Sequence, residues 1–300
     1  MKKTVVCLVV LSGIICFMSF FFVQKQNDFF SIPLGFSAYK IPTTYVEIQG
    51  KKYKVEIDLG SKTALTLNKS ALDQIEKTSS ETSRWMSFKG EKYEAPKYLI
   101  EDVRVGNFSI KNVSSKEESE NFANHGSILI QDPMHQAEEK AGRIGRDFFS
   151  NNNLFLDFNR CVLFICGNVK DLKKNHYQLD SFTQAPMNLT SDGVVIEVEM
   201  DMGIKRFLLD TGSTISAIRS MNIQENTSSR NKMPVYESSK LIIRGTDFGG
   251  QVLYLLDISP DFKDFDGILG MDFLNEHAVF LDFTKNIAYI GKSSEILQST

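Results

Sequence analysis

Asp58 and Asp210 stand in two versions of one short pattern, Asp-Leu-Gly-Ser at 58–61 and Asp-Thr-Gly-Ser at 210–213. Apolar or β-branched residues lead into each acid, in "VEID" and "FLLD", and an alternating apolar stretch follows each turn. A carboxylate at the end of a strand that reads as buried is costly unless it is paired or hydrogen-bonded. A single Asp-x-Gly-Ser reads as an ordinary tight turn. Two in equivalent places of a repeated unit could work together, one carboxyl as acid and the other as base.

The chain does contain a repeat, the first thing to seek in any sequence. "GRIGRDFFSNNNLFLDFNRCVLFI" from Gly142 aligns without a gap to "GILGMDFLNEHAVFLDFTKNIAYI" from Gly267, an offset of 125 (267 − 142). Gly142/Gly267, Gly145/Gly270, Asp147/Asp272 and Asp157/Asp282 match, and "FLDF" occurs in both blocks. The acid turns are 152 apart (210 − 58), and a middle pair, Gly106 and Gly245, is 139 apart. Each half therefore reads as strand, acid turn, strand, variable stretch, strand with glycine, apolar-Gly turn, short helix and a strand pair around "FLDF". The first half is longer by 27 residues (152 − 125), 13 of them before the middle glycine.

Period assigns the elements around the acids. "TYVEIQGKKYKVEID" and "VVIEVEMDMGIKRFLLD" read as strands. Asn68 to Lys77 reads as a helix capped by Asn68 or Ser70, and Ser115 to Gly126 as a polar surface loop. Asn168 to Leu189 is polar without period and reads as a link between halves. The expected organisation is an N-terminal segment 1–27, a lobe 28–168, a linker 169–187 and a lobe 188–300.

Composition bounds the rest. At 300 residues, 42% apolar and 24% charged, this is a folded chain, and a net charge of −3 without a basic stripe argues against nucleic acid as a partner. The four cysteines form no CxxC pair, so no zinc or redox centre is suggested; Cys161 and Cys166 in "CVLFIC" fall on opposite strand faces, which disfavours a bond between them. Thr4 to Val23 is a run of twenty uncharged residues behind Lys2 and Lys3. It reads as a single-pass anchor with an exported body, the alternative being a cleaved signal peptide.

Two Asp-x-Gly-Ser turns, each followed by an apolar-apolar-Gly turn, resemble the aspartic proteases, retropepsin-like and pepsin-like, over about Tyr45 to Ile290. The resemblance implies an all-β, bilobal pair of double-psi barrels behind the N-terminal helix. It implies Asp58 and Asp210 as the catalytic dyad that shares one proton and activates one water. Gly60 and Gly212 would let the turns approach, Ser61 and Ser213 would orient the carboxylates, and Thr211 would brace the opposite turn. Ile144 and Leu269 would pack beneath. Leu59 departs from the family, which has Thr or Ser there, and cannot return the brace that Thr211 supplies.

The long first half also resembles pepsin-like enzymes, in which only the first lobe carries a flap. "RWMSFKGEKYEAP" (Arg84 to Pro96) would form it, with Trp85, Phe88 and Tyr93 either touching substrate or packing on the lobe. No metal or other cofactor is implied. The resulting expectation is a membrane-tethered, monomeric aspartic endopeptidase acting on extended polypeptide. The alternative is an impaired relative that binds a peptide or protein partner without cleaving it.

Overall fold

The two halves of the repeat fold alike, strand by strand. The computed structural model describes residues 29–118, 140–149, 152–223, 227–230 and 233–295. In the first half, Pro42–Ile48 and Lys51–Ile57 form a hairpin. Lys51–Ile57 then runs parallel to Gly142–Ile144, which lies antiparallel to Leu65–Leu67, itself parallel to Phe108–Glu117. In the second half, Val194–Met200 and Gly203–Leu209 form the hairpin. Gly203–Leu209 runs parallel to Gly267–Leu269, antiparallel to Ala217–Arg219, which is parallel to Gln251–Leu256. Register is preserved: Ile57 pairs with Ile144 and Leu209 with Leu269, so each acid leaves its strand beside an apolar-Gly turn. Short apolar runs suit these strands because both faces are covered; every residue of Leu65–Leu67 and of Gly267–Leu269 is buried.

The "FLDF" strands join the halves. Asn153–Asp157 lies antiparallel to His277–Asp282, with Phe155 opposite Phe280 and the pairs Leu154–Leu281 and Leu156–Val279 on either side. With the offset of 125, residue 155 faces its own counterpart and the flanking pairs exchange places. A local twofold axis therefore passes through this pair. Val162–Cys166 and Phe29–Pro33 extend the sheet on one side, Ile287–Lys292 and Thr183–Leu189 on the other. The acids of "FLDF" hold turns: Asp157 accepts from Arg160 N at 3.3 Å, and Asp282 accepts from Thr284 Oγ1 at 2.6 Å.

Three expectations need correction. The helix at 68–77 is a single turn, Lys69–Leu72, capped by Asn68, whose side chain accepts from the Ala71 amide; Ser70 lies inside the turn. Residues 115–117 continue the strand Phe108–Glu117, and 119–126 fall outside the described residues. The supposed link contains a helix, Val169–Lys174, capped by Asn168, and the strand Thr183–Leu189, in which Ala185 and Met187 are buried. Two alternate small or flexible apolar positions are enough to seat a strand against Ile287–Lys292, too few to register as period.

Cys161 is exposed in a turn and Cys166 is buried at the end of its strand, both as free thiols. The expected membrane segment, 1–27, falls outside the described residues; among those described, no helix is long and apolar enough to cross a membrane.

Candidate active site

Each acid turn is closed by the same backbone bonds. The Asp58 amide donates to Ile144 O at 2.9 Å and the Asp210 amide to Leu269 O at 3.0 Å. Ser61 N donates back to Asp58 O and Ser213 N to Asp210 O. Ile144 and Leu269 are fully buried beneath the turns. The Arg146 amide donates to Ser61 O and the Met271 amide to Ser213 O, both at 2.8 Å, tying each turn to the segment after its glycine.

The two turns meet tip to tip. Thr211 Oγ1 accepts from the Leu59 amide at 2.9 Å and donates to Ile57 O at 2.7 Å, so this one hydroxyl reaches across to the opposite turn. Asp210 Oδ1 accepts from Gly212 N at 2.8 Å and from Gly60 N at 3.2 Å. Asp58 Oδ1 accepts from Ser61 N at 2.9 Å. The two carboxyl groups lie close enough for the charge of Asp58 to act on Asp210. Glycine is required at both crossing points: a Cβ on Gly60 would lie 2.4 Å from Asp210 Oδ1, and one on Gly212 would lie 2.6 Å from Asp58 Cγ. Asp58 and Asp210 keep 7% and 5% exposure. Burial, then the charge of Asp58, pushes the Asp210 carboxyl up to about 7, against the Gly212 and Gly60 amides that favour its ionised form.

Of the two serines, Ser61 bonds its carboxylate and Ser213 is turned elsewhere. Ser61 meets Asp58 through its backbone amide. The Ser213 hydroxyl donates to Ile215 O at 2.8 Å, closing its own turn. A hydroxyl brace on the second turn comes from Ser216, which donates through Oγ and N to the Asp272 carboxylate and accepts from Gly270 N.

Leu59 is 2% exposed and offers no hydroxyl. Arg146 spans the same junction. Its guanidinium donates to Leu59 O and Gly60 O in the first half, and to Ser191 O and Asp192 O in the second, the last two at 2.8 Å. Leu59→Thr would restore a hydroxyl, and one net hydrogen bond is worth about 1 kcal/mol. We expect thermal midpoint and turnover at or above the parent's; a fall in both would show that apolar packing governs position 59.

A charged cluster lies on the Asp58 side. Arg143 donates to Asp58 Oδ2 at 2.8 Å and to Glu118 Oε1 at 2.5 Å. Burial opposes the Arg143 charge, yet the Glu118 and Asp58 carboxylates outweigh it and hold the guanidinium protonated. Lys116 is buried beside them, its Nζ 3.6 Å from the centre of the Trp85 ring. Burial first, then the Arg143 charge, lowers Lys116 to about 8.

The flap candidates occupy one hairpin, Thr78–Met86 with Lys92–Val105. Its tip turns at Gly90, whose φ is +86°. Trp85 and Tyr93 are cross-strand partners stacked 5.8 Å apart. Phe88 reaches the second half, packing on Phe262 and Phe265 at 5.4 and 5.9 Å. The Phe88 carbonyl accepts from Ser259 N at 2.7 Å. The receiving loop is shaped by Arg219, a buried residue whose guanidinium donates to the carbonyls of Ile258, Ser259, Phe262 and Phe265. The hairpin thus bridges the halves through Phe88, while Trp85 and Tyr93 pack on the first.

The structure brings Asp58, Asp210, Gly60, Gly212 and Thr211 together, and beside them stand Arg143, Arg146, Lys116, Glu118 and Ser216, which sequence reading did not name. The signal for both arginines was in the repeat: they stand at 143 and 146, where the second half has Ile268 and Met271.

No family model matches the chain, and no curated protein matches it. Among solved structures, the crystal structure of an aspartic proteinase from Irpex lacteus superposes with a TM-score of 0.60 at 14% identity, over 89% of this chain and 98% of that one. Over nearly all of its length, this chain has the fold of that aspartic proteinase.

Proposed function

We propose that the chain is an aspartic endopeptidase that hydrolyses peptide bonds with a water held by Asp58 and Asp210. The observation that carries this reading is the meeting of two equivalent turns, each carboxyl set against the glycine of the opposite turn and nearly closed to solvent. The ionised carboxyl takes a proton from water as its oxygen attacks the peptide carbonyl. The protonated one donates to the developing oxyanion, and a proton then passes to the leaving amine. An extended polypeptide fits beside the flap hairpin as an added strand, bound through backbone hydrogen bonds. Both acids come from one chain, so a monomer suffices. Residues 1–27 would tether the body to a membrane, with the body exported.

A second reading, peptide binding without turnover, is favoured by Leu59 and by the salt bridge on Asp58. Incubation with denatured polypeptide from pH 3 to 8 decides between them. Hydrolysis should follow a bell in pH, since catalysis needs one carboxyl ionised and one protonated. It should vanish in Asp210→Asn. Peptide binding without cleavage at any pH would establish the second reading.

A further inference from the structure

We propose that Arg143 is a positioning residue that holds Asp58 as the carboxylate and leaves the shared proton on Asp210. This assignment rests on the peptidase reading above and settles which acid plays which part.

The asymmetry begins in the strands. In Gly142–Ile144, the outer residues are buried and Arg143 faces the other way, as alternation requires. Its counterpart in the second half, at 143 + 125, is Ile268. Ile268 is buried in an apolar cluster with Val195, Leu208, Ile258 and Phe265. One acid of the pair therefore has a guanidinium on its neighbouring strand, and the other has hydrocarbon.

The contact is built rather than incidental. The Arg143 and Asp58 side chains are 11% and 10% exposed, and their 2.8 Å ion pair is shielded from solvent screening. Glu118, 4% exposed, fixes the other end of the guanidinium. The charged groups beside Asp58 are Arg143 and Lys116, both cationic, and Glu118. With Asp58 ionised, two cations face two anions; with Asp58 protonated, a buried positive charge is left over. Glu56 lies farther out and is paired with Lys140 at 2.6 Å. Arg146 acts most on Asp147, then on Asp58, then on Asp210 and Asp192, so any bias it adds also favours the charge on Asp58. The upward displacement of Asp210 by burial agrees with a proton resting there.

The test uses the full chain carrying Arg143→Met or Arg143→Lys. The readouts are the pH profile of kcat/KM on denatured polypeptide and the 13C titration of the Asp58 carboxyl, assigned by its loss in Asp58→Asn. An opposite charge at this range moves a carboxyl by about 1–3 pH units. Arg143→Met is therefore expected to raise the acid limb by about one unit or more, with a smaller rise of the basic limb, and Arg143→Lys should recover part of it. An acid limb and an Asp58 resonance that titrate as in the parent would overturn the proposal and make Arg143 merely structural. If the parent cleaves nothing, the peptidase reading fails on its own, and the Asp58 titration still decides what Arg143 does. If Arg143→Met does not fold, Arg143→Lys against the parent carries the test, and coincident titrations overturn the proposal.

Discussion

Asp210→Asn is expected to abolish hydrolysis while making the folded protein more resistant to heat at neutral pH. The first effect follows from removing one of two groups that must exchange protons with water and the amine; such transfers contribute about 10²–10⁴-fold each. We expect kcat/KM to fall at least about 10³-fold. The second follows from burial. The folded state binds the Asp210 proton more tightly than the unfolded chain, so that stability is fully present below pH about 4, where an unfolded aspartate is protonated. It is lost as pH rises toward the folded value of about 7. Asparagine is neutral at every pH, and its oxygen can still accept from the Gly212 and Gly60 amides that Asp210 uses. The variant should therefore melt several degrees above the parent at pH 7, with the difference closing toward pH 4. Thermal melts at both pH values check this. A variant less stable than the parent at pH 7 would mean that Asp210 sits ionised in a favourable site, contrary to its surroundings.

Arg146→Met is expected to cost about 3–5 kcal/mol and most of the activity. Methionine keeps the length of the side chain and removes its donors. The lost bonds run from one buried guanidinium to the carbonyls of Leu59, Gly60, Ser191 and Asp192, two in each half. Hydrogen bonds to a charged group are worth about 1.5–3 kcal/mol each, and a buried carbonyl left without a donor adds to the loss. Thr211 braces the turns from one side only, because Leu59 returns nothing. Without Arg146, that hydroxyl and the Gly60 amide on Asp210 would be left to hold the two turns together. Displacing the Asp58 turn by about 1 Å is enough to cost roughly 10²-fold in rate. Urea unfolding together with kcat/KM on the same preparation checks both. A loss of activity without a loss of stability would place Arg146 in the chemistry instead of the frame.

The gross plan of the molecule was readable because duplication writes it twice. Aligning Gly142 with Gly267 located the paired strands, the buried apolar-Gly turns and the acids without any coordinates. The acids and their glycines were readable for a physical reason: close backbone approach tolerates one residue type. What escaped was whatever reached the site from the side. Lys116 lies at the end of a strand and Glu118 just past it, where the polar residues look like a solvated loop, and only tertiary packing buries them. Arg143 and Arg146 were visible as polar residues at apolar places in the repeat, but direction is not written in spacing. The strand Thr183–Leu189 was hidden because a strand with only two buried residues has no period to detect. Ser61 does bond its acid, through the backbone N–H, whereas the Ser213 hydroxyl closes its own turn, a choice that residue type alone does not write.

The self-facing pair Phe155–Phe280 bears on ancestry. A strand that meets its own duplicate in register about a twofold axis presents the same edge that two separate, identical chains would present to one another. Gene fusion would then have changed the covalent connection and left the contact as it was. Once joined, the halves were free to diverge, and one now carries an arginine where its twin carries isoleucine.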